Sequence, residues 1–219
     1  MSTAEYYRLL NLMINERIGG VSSAKIILYS VNFDEIKTLT FAENWQAISK
    51  IICGIAQKLE NAGADCILIG ANTMHRIADQ VQEAVSIPVI HIAAATGKAI
   101  EKLQLKKCAL LGTKYTMELG FYQQQLEKYN ISTIIPNDED RQYIHDAIYN
   151  EMGKNIFLAS TREKILSIID TLKKEGAEGV ILGCTEIPLL IKQTDCSIPV
   201  FDTTQIHAAA AVEYALDKV

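Results

Sequence analysis

The sequence predicts an α/β protein of two pseudo-symmetric halves, each a mainly parallel sheet flanked by helices. Three observations predict it. Short apolar runs alternate with helix-like segments along the 219 residues, the pattern of strands covered on both faces by crossover helices. Ala62-Gly-Ala-Asp-Cys-Ile-Leu-Ile-Gly-Ala-Asn-Thr73 matches Glu175-Gly-Ala-Glu-Gly-Val-Ile-Leu-Gly-Cys-Thr-Glu186. Each copy follows an amphipathic helix and precedes a Ser-Ile-Pro-Val strand, at Ser86–Val89 and Ser197–Val200, and the Gly-to-Ser intervals are 23 and 21 residues. Two ordered matches at nearly equal spacing mark a duplicated α/β half. The expected halves are 1–104 and 105–203, with helix 204–219 packing back on the first.

Each element follows from its local pattern. Ala4–Arg17 is a helix, and Ala24–Val31 is a β-rich run. Trp45–Asn61 has helical spacing, with Ile48, Ile51, Ile52, Ile55 and Leu59 on one face. Gly63 breaks the chain before a buried strand at Cys66–Gly70. A helix over His75–Val85, a strand over Ile87–Ile92 and a helix over Ala94–Lys102 complete the first half. The second half runs strand Lys107–Gly112, helix Met117–Tyr129, helix Gln142–Met152, helix Arg162–Glu175 and strand Gly179–Gly183. A short helix from Glu186, a strand at Pro199–Phe201 and a helix over Thr204–Lys218 close it.

The repeat also exposes a gap. The second half carries a strand and glycine turn, Cys108–Thr113, before helix Met117–Tyr129. The matching strand is missing in front of Ala4–Arg17. The expectation is that the first half lost its opening strand or that the chain starts about a dozen residues late.

Composition narrows the function. Apolar residues are 49%, charged residues 21% and the net charge is −5, so there is no basic field for a nucleic-acid backbone. No apolar run approaches the roughly 18–20 residues of a membrane helix, and the N-terminus has no signal core. Five scattered cysteines do not form a disulfide framework, which predicts a reduced, cytoplasmic protein. No His/Cys/Asp group has zinc-ligand spacing, and no phosphate-binding glycine loop is present.

In open α/β folds ligands bind beyond the carboxyl ends of the strands. The two equivalent ends are Gly70-Ala-Asn-Thr-Met-His75 and Gly183-Cys-Thr-Glu186. Backbone N–H groups at such turns favour a carboxylate, and Asn72, Thr73 and Thr185 add side-chain donors. Cys184 is expected at a helix N-terminus, which lowers a thiol pKa. Cys53, Cys66 and Cys108 lie inside helix or strand patterns as core fillers, and Cys196 is a loop residue.

Ala4-Glu-Tyr-Tyr-Arg-Leu-Leu-Asn11, Asn72-Thr-Met-His75, Leu111-Gly-Thr-Lys-Tyr-Thr-Met117, Gly183-Cys-Thr-Glu-Ile187 and Pro199-Val-Phe-Asp-Thr203 together resemble the aspartate/glutamate racemase family. The resemblance covers nearly the whole chain. It implies a cofactor-independent, homodimeric enzyme acting on a small amino-acid substrate, with one acid/base residue per half flanking the α-carbon. Both are usually cysteines, and in one branch the first is threonine. One removes the α-proton while the other reprotonates the opposite face. Here Cys184 matches the second, whereas Ala71 stands at the first and can neither take nor give a proton. The family's opening strand, which ends in a Gly-Gly-Met loop, is the segment that the repeat finds missing.

The expected function is therefore an amino-acid racemase with Cys184 as its thiol acid/base, impaired at Ala71. A one-cysteine lyase or decarboxylase and a non-catalytic amino-acid-binding relic are the alternatives. Asn72, Thr73, Thr113, Thr116 and Thr185 are the carboxylate donors. Lys154 is matched to a lysine that meets the substrate side chain, and His75 and Glu186 organise the site. His91 is placed on a strand end able to line the cleft, while His145 and His207 are expected to be ordinary helix residues.

Overall fold

A computed structural model describes residues 2–217. Helix α1 (Ser2–Ile18), α2 (Phe33–Phe41) and α3 (Trp45–Asn61) lead to strand β1 (Ile67–Leu68). A 3-10 turn at Thr73–Ile77 enters α4 (Ala78–Ala84), followed by β2 (Val89–Ile90) and α5 (Ile92–Lys102). Next come β3 (Lys107–Gly112), α6 (Lys114–Glu118), α7 (Phe121–Glu127), β4 (Ser132–Ile134), α8 (Asp138–Asn150) and α9 (Ala159–Lys174). The chain closes with β5 (Gly179–Gly183), α10 (Ile187–Leu190), β6 (Val200–Asp202) and α11 (Thr203–Leu216). All strand pairing is parallel, in a two-stranded sheet β1-β2 and a four-stranded sheet β4-β3-β5-β6.

The duplication holds at the level of register. Ile67 pairs with Val89 and Leu68 with Ile90; at the repeat-equivalent positions Val180 pairs with Val200 and Ile181 with Phe201. One side chain pins each Ser-Ile-Pro-Val strand in the same way. The Gln82 carboxamide oxygen accepts from Val89 N at 2.8 Å and its nitrogen donates to Ile87 O at 3.1 Å. Gln193 does the same to Val200 N at 2.8 Å and Ile198 O at 3.1 Å. Both halves satisfy the same two backbone groups with the same residue type.

The helices after these strands are also equivalent. His91 accepts from Ala93 N to cap α5, and Asp202 accepts from Thr204 N and Gln205 N to cap α11. The two helices pack on one another, and α11 also lies against α1. The second-half core fills both faces of its sheet. Ala109, Leu111, Val180 and Leu182 face α8 and α9, while Cys108, Leu110 and Ile181 face α5 and α7.

Four local expectations need correction. Residues 24–31 join no strand ladder, and Ile27, Leu28, Tyr29 and Val31 are exposed. Their β-branched composition favours extended backbone, but a strand also needs a bonded neighbour. The expected helix Met117–Tyr129 is two helices, separated at Gly120, whose φ of +77° is a left-handed conformation that suits glycine. The segment His75–Val85 starts as a 3-10 turn already at Thr73. Helix α2 and strand β4 are additions to the expected elements. The signal for α2 is a reciprocal cap: Asn32 accepts from Asp34 N while its amide donates to Glu35 Oε1 at 3.2 Å. Lys218, the last residue of the expected closing helix, lies outside the described residues, as do Val219 and Met1.

Candidate active site

The carboxyl ends of β1, β3, β5 and β6 converge where the two halves meet. Thr73 Oγ1 lies 2.8 Å from Thr113 Oγ1 and 3.2 Å from Thr116 Oγ1, and the latter two are 3.2 Å apart. All three hydroxyls are buried. Thr113 earns this position twice, since it also caps α6 by accepting from Thr116 N. Asn72 Nδ2 donates to Thr203 Oγ1 at 3.0 Å, and Thr203 donates on to Leu182 O at 2.9 Å. These bonds run from the turn after β1 to β5, the strand that precedes Cys184. Asn72 Oδ1 is buried without a partner, an acceptor left open beside these donors. Thr203 is absent from the sequence-derived set; its signal is its place right after β6, equivalent to Ile92 in the first half.

Cys184 follows β5 and is buried. Its thiol donates to Glu186 Oε2 at 2.9 Å, and Thr185 Oγ1 donates to the same oxygen at 2.6 Å. Burial, then the Glu186 charge and its hydrogen bond, push the thiol well above its ordinary pKa. The expected lowering at a helix N-terminus is therefore overturned. The N–H groups of Glu186 and Ile187 do pull the pKa down, but α10 is only one turn long and the adjacent carboxylate outweighs it. The resting group is a protonated thiol bonded to a carboxylate.

Ala71 occupies the equivalent turn after β1, partly buried against the cluster of Ile36, Ile48 and Met74. Its carbonyl is held by His75, whose Nδ1–H donates to Ala71 O at 2.9 Å while Nε2 accepts from Ile92 N at 3.1 Å. Burial, then the neighbouring His91 and His207, hold the His75 pKa well below its ordinary value, so the ring is neutral. His75 thus fixes the Ala71 turn against the start of α5. His91 caps that helix and lies 4.7 Å, centroid to centroid, from His75.

His207 is far from ordinary. It is fully buried, accepts from Tyr6 OH at 2.7 Å and donates through Nε2 to Ile90 O at 2.6 Å. Burial lowers its pKa to about 4. It ties α1, β2 and α11 together. His145 accepts from Lys114 N at 3.2 Å and belongs to an aromatic cluster beside the site. An Ala-rich helix hides a histidine well, because only tertiary contacts distinguish it.

Lys154 is exposed in the 3-10 turn Met152–Lys154 and its ammonium meets none of these groups. Thr185 also borders an open cleft of about 400 Å³ shared with Glu5, Lys192, Asp202 and Thr204. A larger groove of about 650 Å³, lined by Trp45, Lys50 and Arg76, contains none of the strand-end residues. The converging donors make the strand ends the candidate site. Among the described residues no group of three or more His, Cys, Asp or Glu could hold a metal ion, and no helix is long and apolar enough to cross a membrane.

The chain is similar to known proteins over most of its length. An Asp/Glu racemase candidate from Yersinia pestis is 45% identical and superposes with a TM-score of 0.91 over 98% of this chain and 94% of its own. An aspartate racemase homologue from Pyrococcus horikoshii OT3 is 36% identical, with a TM-score of 0.83 over 98% and 94%. The broad specificity amino-acid racemase RacX of Bacillus subtilis is 29% identical over 75% of this chain and 71% of its own length. Residues 1–211 match the Asp/Glu/Hydantoin racemase family, and the chain belongs to it.

Proposed function

We propose that this chain is a cofactor-independent amino-acid racemase whose two-base machinery is reduced to one base. The observation that carries the reading is the buried Cys184–Glu186 pair at one of two repeat-equivalent strand ends, the other of which carries Ala71. The buried hydroxyls of Thr73, Thr113 and Thr116, with Asn72 and Thr185, receive the substrate carboxylate. They bond to one another, and a carboxylate would exchange these hydroxyl contacts for stronger charged ones. Preorganised donors of this kind stabilise the charge that develops when the α-proton leaves.

Cys184 moves the proton on its own face. Glu186 accepts the thiol hydrogen at rest and so serves as the base that generates thiolate when substrate binds. On the opposite face the Ala71 methyl has no proton to exchange. Inversion then depends on water, while proton exchange with retention needs Cys184 alone. His75 positions the Ala71 turn and takes no proton itself. We place the enzyme in the cytoplasm as a homodimer, in keeping with the family resemblance. Lys154, exposed here, would meet a substrate side chain only if its turn moved inward.

A second reading, a one-cysteine lyase or decarboxylase, is favoured by the same protonated thiol, which suits delivery of a proton to one face. Incubating the protein with each enantiomer of an amino acid in D2O separates the readings. The racemase reading expects α-deuterium uptake faster than loss of optical purity. Release of CO2 from a 2-substituted malonate without α-exchange in amino acids supports the lyase. Neither exchange nor turnover, with binding retained, means a binding relic.

A further inference from the structure

The wall beside Cys184 is aromatic, and both halves build it. Tyr115 lies in α6 between the site residues Thr113 and Thr116. Tyr149, from α8, packs on the buried cluster that contains Cys184, and burial with the nearby Tyr115, Cys184 and Glu186 pushes its hydroxyl pKa up. Helix α2 reaches across from the first half. Ile36 of α2 is buried in the same cluster that holds Ala71. Phe33 and Phe41, two turns apart, point instead to the second half. Phe41 lies 5.2 Å from the Tyr149 ring, 6.1 Å from His145 and 6.5 Å from Tyr115. Phe33 stacks on Tyr149 at 6.3 Å. Yet Phe33 is 63% and Phe41 49% exposed, which is more apolar ring than a helix needs to show water.

A substrate with a second carboxylate needs a cation where its side chain lies. The cations around this wall already have partners. Lys114 Nζ donates to Gln142, Arg141 binds Glu118 and Asp138, Arg76 stacks on Trp45 in the outer groove, and Lys37 lies over the Phe41 ring. The charge acting on both Cys184 and Tyr149 is the Glu186 carboxylate, which repels a side-chain anion.

We infer that Phe41, Tyr115 and Tyr149, with Phe33 on the same helix as Phe41, take the substrate side chain, and that the substrate is an amino acid with an aromatic or large apolar side chain. The inference rests on the racemase reading for its α-carboxylate site. Rings from both halves meet stacked, edge to face or tilted, an arrangement that admits another flat apolar group at favourable spacing. Helix α2 is joined to the second half through these rings.

The molecule's one tryptophan, Trp45, contacts Tyr115 at 5.9 Å and reports occupancy of this wall. Its emission is titrated with phenylalanine, tyrosine, leucine, alanine, aspartate and glutamate, and α-deuterium uptake is measured for each in the same samples. Phenylalanine and tyrosine are expected to bind and exchange at concentrations at least tenfold below aspartate and glutamate. Phe41→Ala, at a half-exposed position, is expected to weaken the aromatic amino acids about tenfold more than it weakens alanine. Aspartate or glutamate exchanging at equal or lower concentration than phenylalanine overturns the inference and leaves the racemase reading intact. An equal effect of Phe41→Ala on phenylalanine and alanine also overturns it. Exchange and binding with none of the six overturns both.

Discussion

The Cys184 thiol donates its hydrogen to the Glu186 carboxylate two residues on, at 2.9 Å, in a buried turn. This contact decides the resting state of the site. A thiolate there would face an anion in a low-dielectric setting, where like charges are most costly. On the racemase reading the site therefore waits with its proton on sulfur, and a bound substrate must shift that balance.

Replacing the carboxylate tests this directly. Glu186→Gln removes the charge and keeps the size, so the Cys184 pKa is expected to fall and its alkylation by iodoacetamide at pH 8 to speed up by about tenfold or more. Peptide mass spectrometry resolves Cys184 from the other four cysteines. A rate unchanged or slowed in the variant would show that burial alone sets the thiol.

The second prediction concerns the opposite face. Ala71→Cys and Ala71→Thr put a proton-transfer group at the position equivalent to Cys184. A positioned acid/base is worth about 10²–10⁴-fold, so inversion should rise by that order relative to the parent while α-deuterium uptake changes less. Polarimetry and NMR on the same reaction give the two rates. A parent chain that already inverts as fast as it exchanges would remove the premise.

Much of this was legible in the sequence because the repeat repeats chemistry as well as hydrophobicity. Two Ser-Ile-Pro-Val segments at matched spacing imply the same strand register, and the structure bears this out down to the shared Gln82 and Gln193 clamps. The threonines at 73, 113 and 116 are legible for the same reason, since each follows a strand end. What the sequence hides depends on long-range placement. The Cys184 pKa is set by which way Glu186 folds back, and a neighbouring carboxylate reverses the expectation drawn from a helix start. His207 looks like one polar residue in an alanine helix until Tyr6 and Ile90, 201 and 117 residues away, are seen to hold it. Helix α2, Phe-Asp-Glu-Ile-Lys-Thr-Leu-Thr-Phe, has β-favouring residues at five of its nine positions, and its Asn32 cap is the signal for a helix.

Gly112 and Gly183 face each other across β3 and β5. A Cβ on Gly183 would sit 2.8 Å from Leu111 O, and one on Gly112 would sit 2.8 Å from Gly183 O. Backbone atoms in a ladder cannot step aside, so Gly183→Ala is expected to cost about 1–3 kcal/mol. For a chain of this size that lowers Tm by roughly 2–12 °C. Since Cys184 is the next residue, exchange activity should fall further than stability does. Thermal melts together with α-deuterium uptake below the transition check both effects, and a variant with parental Tm would mean the strand ends are further apart than described.

The histidine cluster makes stability depend on pH. His75, His91 and His207 all titrate below the ordinary 6.5, with His91 and His207 near 4, and burial is the leading cause for each. The folded state therefore resists protons that the unfolded chain accepts. Stability from these groups is complete above pH 6.5 and is lost as pH falls toward 4. His207 alone, shifted from 6.5 to about 4, is worth up to about 3 kcal/mol over that window. The carboxylates held low, Glu5, Glu60, Glu178 and Asp195, act at lower pH, where they would ordinarily titrate. Asp202, raised by burial, has the opposite sign and gains as pH falls. The expected result is a Tm that declines steadily between pH 6.5 and 4.5. His207→Gln keeps a donor for Ile90 O and cannot titrate, so it should lower Tm at pH 7 and flatten the decline. Melting curves at half-unit pH steps for both proteins measure it. A variant whose slope matches the parent's would show that His207 is protonated without cost to the fold.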